Sequence, residues 1–244
     1  MGNRLLSDKL ALVTGGARRI GREIALALAA EGADVAITFL KSEQEAQETA
    51  RAIETLGVRA VALECDVRSE SSVRAAVTAA VERFGRLDMV VNNAAVFDRA
   101  PLDQLSVAAW DDVFETNARG PFLVAREALP HLQAAQGRIV NIGSLGGSHA
   151  WADHAHYCSS KAALHMLTQA MAKGFAPLVS VNCVAPGWIE VGESGNAGAK
   201  FAARTPMGRN GTAKDVAQAV LFFVTGPSFI TGQILGVDGG LGLV

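Results

Sequence analysis

Cysteine is scarce in this sequence: three residues, Cys65, Cys158 and Cys183, odd in number and far apart. That spacing fits neither a disulfide framework nor a zinc-ligand set, and it predicts a chain kept reduced, in a cytoplasmic setting. An excess of charge of either sign is also missing. The 22 basic and 24 acidic residues leave a formal net charge of -2, which argues against nucleic acid or an anionic membrane as partner. No stretch approaches the roughly 20 apolar residues of a membrane helix. The N-terminal residues run into a Gly-rich turn without an apolar signal core or a cleavage site, and Met1-Gly2-Asn3 is followed by no Ser or Thr at the myristoylation position. Neither export nor lipid anchoring is expected. Histidines are few, and the group His149, His154, His156 beside Asp153 has no H-E-x-x-H or comparable spacing, so packing or substrate contact is expected there and no metal. Only 6% of residues are aromatic and only one, Tyr157, is a tyrosine; chemistry that needs a phenol has one candidate.

What the chain has in quantity is apolar material, half of its 244 residues, enough for a core on both faces of a sheet. Short apolar runs (LALVTG, ADVAITFL, VRAVALECDV, LDMVVNNA, RIVNIGS, VSVNCVAPG and a last run near the C-terminus) alternate with longer segments of helical period. The alternation predicts an α/β fold with about seven strands in a doubly wound parallel sheet, helices on both faces, formed as one domain over 1–244. Residues 192–211, polar and Gly-rich, read as a flap or short helix beside a site.

Three places in this pattern carry chemistry. Directly after the first strand stands Thr14-Gly15-Gly16-Ala17-Arg18-Arg19-Ile20-Gly21, opening an Ala-rich helix; glycines here let backbone N–H groups approach a pyrophosphate at the helix N-terminus. After the second strand, Thr38-Phe39-Leu40-Lys41-Ser42 lacks the acid that NAD sites use for the ribose hydroxyls. Arg18 and Lys41, with Ser42 as an added donor, suit a 2′-phosphate, so the expected cofactor is NADP(H). The third place is a helix in which Tyr157 and Lys161, four residues apart, share a face. A lysine ammonium favours the phenolate of its neighbour, so Tyr157 becomes a general acid or base tuned by Lys161. Ser144, at the end of RIVNIGS, can orient the same substrate atom.

Taken in order, these motifs resemble the short-chain dehydrogenase/reductase family, from about Lys9 to Leu243. The resemblance implies a Rossmann-type fold and an active-site set of Ser144, Tyr157, Lys161 and Asn117, the last holding a helix kink and a water that relays protons to Lys161. It also implies cofactor contacts from Gly15, Arg19, Ile20 and Gly21 in the turn, Asp66 and Val67 after strand three, Asn93 and Ala94 after strand four, Tyr157 and Lys161 themselves, and Pro186, Gly187 and Ile189 beside the nicotinamide. Asp66 can alternatively cap the next helix, and Asn92 can tie strands together. Family resemblance further implies a homotetramer or dimer built on helices around 105–135 and 155–173 and on the C-terminal strand.

Arg19 stands where the family's T-G-x(3)-G-x-G turn has its middle glycine. Arg19 and Phe97 together resemble pteridine reductases, in which an Arg and a stacking Phe surround a flat pterin, and a pteridine-reductase-like activity is the first expectation, with other ketone or alcohol substrates as alternatives. Ser144, where those enzymes often have Asp, points instead to plain carbonyl reduction. The general motif set is equally similar to 3-oxoacyl-carrier-protein reductases, for which Arg119, Arg126 and Arg138 would supply a basic patch. Trp151 and Trp188 are expected to flank a pocket for a small molecule with an apolar or planar part. A non-catalytic NADPH sensor would be expected to lack Tyr157 or Lys161, and both are present.

Overall fold

The computed structural model describes residues 4–192 and 195–244; Met1–Asn3, with the lipidation expectation, and residues 193 and 194 of the expected flap lie outside them. Strands and helices alternate: β1 (Leu10–Val13), α1 (Arg19–Ala30), β2 (Asp34–Phe39), α2 (Glu43–Glu54), β3 (Ala60–Glu64), α3 (Glu70–Phe84), β4 (Met89–Asn92). There follow α4 (Val107–Phe114), α5 (Gly120–Ala135), β5 (Arg138–Ile142), α6 (Ala155–Phe175), β6 (Ser180–Pro186), β7 (Ile189–Glu190), α7 (Gly195–Arg204), β8 (Gly211–Thr212), α8 (Ala213–Thr225) and β9 (Ile234–Val237).

Seven strands form one parallel sheet in the order β3-β2-β1-β4-β5-β6-β9. The period of two along each strand divides the core. Ala11, Val13, Val35, Ile37, Met89 and Val91 face α1, α2 and α8, where they meet Ile24, Leu28, Ile53 and Val220. Leu10, Leu12, Ala36, Val90 and Ile139 face the other way, onto Val77 of α3, Leu132 of α5 and Met171 of α6. Both faces are therefore buried, which explains why the strand sequences are almost continuously apolar.

Helix ends follow local chemistry. Ser69 caps α3 by accepting from Ser72 N, and Gly85, at φ 82°, ends it in the left-handed conformation that glycine adopts without strain. Thr212 and Asp215 form a reciprocal capping box on α8. Between α4 and α5 the helix does not stop: Glu115–Arg119 forms a π turn that joins them.

Sheet order reverses direction between β1 and β4, and the crevice beyond the C-terminal ends of those strands is where such sheets bind ligands. Residues 192–211 contain α7, and the two-residue ladder of β7 with β8 closes the ends of that excursion.

Candidate functional site

A cleft of about 1210 Å³ runs along this edge. At one end it is built from backbone. Thr14 Oγ1 accepts from the N–H groups of Asn93 and Ala94, each at 3.0 Å, and Asn93 Nδ2 donates to Thr14 O at 2.9 Å and Gly15 O at 3.0 Å. These bonds lock the turn after β1 to the end of β4. Gly15 has φ +62°, and a Cβ on Gly21 would sit 2.5 Å from Asn93 Nδ2, so the turn has no room for a side chain at position 21. Arg19 also lies in the left-handed region, at φ 53°. A non-glycine residue there costs about 1–2 kcal/mol.

Arg18, Arg19 and Ile20 line the cleft with Gly15 and Gly21, and Lys41 and Ser42 face them from the end of β2. Arg18 and Lys41 are exposed and make no ion pair among the described residues, and the Ser42 hydroxyl does not cap α2. Asp66 and Val67 also line this end. The Asp66 carboxylate does not cap α3; it accepts from Arg68 Nε and Nη2, at 2.9 and 2.8 Å, which holds it below the usual carboxylate range. Arg68 reaches on to Asp112 at 2.5 Å. Asn92 does tie strands: its amide donates to Asn141 Oδ1 at 2.8 Å, and Asn141 in turn donates to Thr168 Oγ1 on α6.

At the other end side chains dominate. Ser144 begins a short 3-10 turn and accepts from Gly146 N at 3.1 Å. Tyr157, two residues into α6, is pushed up in pKa by burial, and its hydrogen bond with Ser144 opposes that rise. Lys161 is one turn further and 3% exposed; its ammonium donates to Ile142 O at 2.8 Å and lies 5.8 Å from the centre of the Tyr157 ring. Burial brings its pKa down to about 8. Ser144 counters the burial of the phenol, and the lysine ammonium one turn away is anchored on the end of β5.

Asn117 is in the π turn, fully buried behind the cleft wall. Its Oδ1 accepts from Val96 N at 2.8 Å, and its Nδ2 donates to Val96 O at 2.9 Å and Ser160 Oγ at 3.1 Å. Ser160 in turn donates to Tyr157 O at 2.7 Å. Asn117 therefore joins the end of β4, the kinked helix and the start of α6. Through Ser160 it is linked to the backbone of Tyr157.

Phe97 meets Tyr157 edge-on at 4.8 Å, and Trp151 stacks on Tyr157 at 6.0 Å. His154 stacks on Phe97 at 5.0 Å and contacts Trp151 edge-on; burial lowers its pKa, which favours the neutral ring. The tyrosine thus stands in an aromatic box. Pro186, Gly187 and Ile189 line the opposite wall with Trp188, which stacks on Phe201 of α7 at 4.0 Å. Every residue expected to touch cofactor or substrate lines the one cleft, whereas Asn117 lies outside it. Phe201, Arg204, Arg68 and Leu241 line it too, and sequence reasoning missed them; Phe201 and Arg204 lie on α7, which comes from the polar excursion, where nothing local marks an inward face. Arg119, Arg126 and Arg138 do not gather into a free basic patch. Arg119 pairs with Glu115, Arg126 with Glu70, and Arg138 donates to Phe223 O.

No group of three potential metal ligands is found among the described residues, and no described helix is long and apolar enough to cross a membrane.

A family model described as enoyl-(acyl carrier protein) reductase matches residues 15–242. The chain is 38% identical to a cis-4-hydroxycyclohexanecarboxylate dehydrogenase of Sinomonas cyclohexanicum, over 96% of each chain. It is 35% identical to a 3-oxoacyl-(acyl-carrier-protein) reductase of Staphylococcus aureus, over 96% of this chain and 98% of that one. Among solved structures, a short-chain dehydrogenase/reductase from Serratia marcescens superimposes with a TM-score of 0.92 at 35% identity, covering 97% of this chain and 99% of that one.

Proposed function

The chain belongs to the short-chain dehydrogenase/reductase family of nicotinamide-dependent oxidoreductases, and on that premise we propose that it interconverts a ring ketone and its secondary alcohol with NADP(H). The observation that carries this reading is the position of the only tyrosine: it lines one cleft with Ser144 and Lys161, ringed by Phe97 and Trp151, and the far end of that cleft offers Arg18 and Lys41.

The residues present fit a dinucleotide. The crowded glycines at 15 and 21 bring backbone close to where a pyrophosphate would lie at the start of α1, with Ile20, Asp66, Val67, Asn93 and Ala94 around it. Arg18 and Lys41, which make no ion pair among the described residues, together with the absence of an acid at the end of β2, support a 2′-phosphate and so NADP(H) over NAD(H). Pro186, Gly187 and Ile189 would hold the nicotinamide, which when bound supplies or accepts a hydride. In the reducing direction the carbonyl carbon gains that hydride and Tyr157 gives its proton to the carbonyl oxygen. Ser144 orients that oxygen, and Lys161 supplies positive charge beside the phenolate left behind. Asn117 keeps α6 in place.

The similarity to a dehydrogenase of a cyclohexane alcohol favours a ring substrate. A second reading, a flat pterin-like substrate, is favoured by Phe97 and by Arg19. The presence of Ser144 rather than a carboxyl group supports carbonyl reduction ahead of it. Exposed apolar residues on α5 and α6 (Phe122, Met166), and Phe222, Phe229 and Leu235 towards β9, support assembly into a homotetramer or dimer. Free thiols at positions 65, 158 and 183 support a cytoplasmic location.

The test is NADPH oxidation with 4-oxocyclohexanecarboxylate, its methyl ester, a dihydropterin and an acetoacetyl thioester. Turnover of the ring ketones is expected, and Tyr157→Phe should lower kcat by about 10³-fold while NADPH still binds. Turnover of dihydropterin or thioester alone would replace the substrate reading, and an active Tyr157→Phe variant would remove the mechanism.

A further inference from the structure

We propose that Arg204 is a substrate-specificity residue that holds a carboxylate, so that the preferred substrates are ring ketones or alcohols carrying an anionic group remote from the reacting carbon. This rests on the reading of Tyr157 as the general acid. The cationic side chains lining the cleft divide into four groups. Arg18, Arg19 and Lys41 stand at the Gly-rich turn, at the dinucleotide end. Arg68 is held by Asp66 and Asp112, which are the only carboxylate side chains among the described lining residues. Lys161 is buried and donates to Ile142 O. What remains at the aromatic end is Arg204, with no ion pair among the described residues.

Its backbone is held in place. Arg204 is the last residue of α7 and lies three positions after Phe201, so the two share the helix face that lines the cleft. Phe201 is fixed against Trp188, and Thr205 Oγ1 donates to Phe201 O at 2.8 Å. Asn210 Nδ2 donates to Gly198 O and to Glu190 Oε1, both at 2.9 Å, which pins the body of α7 to β7. A guanidinium on a fixed helix presents a planar fork that matches a carboxylate with two parallel hydrogen bonds. The aromatic walls accept a ring, and the wall around Arg204 carries no Asp or Glu side chain among the described lining residues to repel the anion.

The experiment compares 4-oxocyclohexanecarboxylate with its methyl ester, in wild type and in Arg204→Met and Arg204→Lys. Wild type is expected to favour the acid over the ester by at least tenfold in kcat/KM. Arg204→Met should lower kcat/KM for the acid at least tenfold, through KM, and leave the ester and the NADPH Kd within twofold; Arg204→Lys should recover part of the loss. Independently of turnover, 4-hydroxycyclohexanecarboxylate with NADP+ should raise the Tm of wild type above that with NADP+ alone, and not that of Arg204→Met. Equal use of acid and ester by wild type would overturn the proposal while leaving the ketone reading intact, and so would a loss of NADPH affinity in Arg204→Met, which would assign the guanidinium to the cofactor. If neither ketone is turned over, the ketone reading fails and the Tm comparison alone decides the role of Arg204.

Discussion

The two ends of the cleft are built by different means. The dinucleotide end is backbone geometry braced by short polar side chains: Thr14 and Asn93 clamp the turn to β4, and glycines leave no volume for anything else. The substrate end is side-chain volume, with Phe97, Trp151 and His154 around Tyr157 and Trp188 on Phe201. A backbone-built site tolerates almost no added atom, whereas a site of partly exposed rings can change shape at small cost to the fold. Specificity can therefore vary at one end while cofactor binding stays fixed at the other.

The sharpest way to break this contrast is one methyl group. In Gly21→Ala the new Cβ would strike the Asn93 amide and the Gly15 carbonyl, neither of which can yield without releasing the turn. We expect NADPH affinity to fall more than about 100-fold and stability to drop by about 1–3 kcal/mol, read by fluorescence titration and urea unfolding. Phe97→Leu, a larger change at a residue that is 61% exposed, should stay within about 0.5 kcal/mol of wild type. Equal losses in the two variants would erase the distinction.

A smaller effect tests the charges of the dinucleotide end. NADPH is expected to bind at least about tenfold tighter than NADH, a difference near 1.4 kcal/mol, and Arg18→Ala with Lys41→Ala should bring the two affinities together. Equal affinities in wild type would leave these cations as ordinary solvated residues.

A further test concerns the substrate end in the cofactor-free protein. Lys161 has its pKa lowered by burial from 10.5 to about 8, so between those values the folded state binds fewer protons than the unfolded chain and stability rises with pH. Cys183, raised from 9.0 to about 12, acts in the opposite sense above pH 9, where the unfolded thiol ionises and the folded one does not. The stability difference between wild type and Lys161→Met isolates the lysine: it should shift in favour of wild type from about pH 8 upward. Urea unfolding at pH 7.5, 8.5 and 9.5 measures it, and a flat difference would mean that the ammonium is not strained by burial.

Legibility in the sequence followed the same division. The sheet could be read because a period of two, buried on both faces, leaves apolar runs such as ADVAITFL, and the glycine turn because its parts are contiguous. Tyr157 and Lys161 could be read because four residues make one helical turn. Phe201 and Arg204 could not, because their meeting with Trp188 and the cleft depends on how the chain between β7 and β8 folds back. Asp66 as a helix cap was a local guess displaced by a stronger local partner: the Arg68 fork is two residues away, and Ser69 stands at the helix start. The contacts of Asn117 were not legible, since its partner Val96 lies 21 residues earlier.

A π turn holds about one residue more than the α-helical path, so it rotates everything after it by about 100° around the helix axis. From Val107 to Ala135 the chain is thus two amphipathic stripes out of phase on one rod. The first turns Val113 inward, the second Leu123, Val124, Ala128 and Leu132, and Asn117 sits at the slip between them. Removing one residue of Glu115–Arg119 other than Asn117 would bring the two stripes into register and swing the Asn117 amide off Val96, even with every remaining side chain unchanged. The anchor behind Tyr157 is in this sense a matter of spelling length as much as of letters: a residue count that the chain must keep.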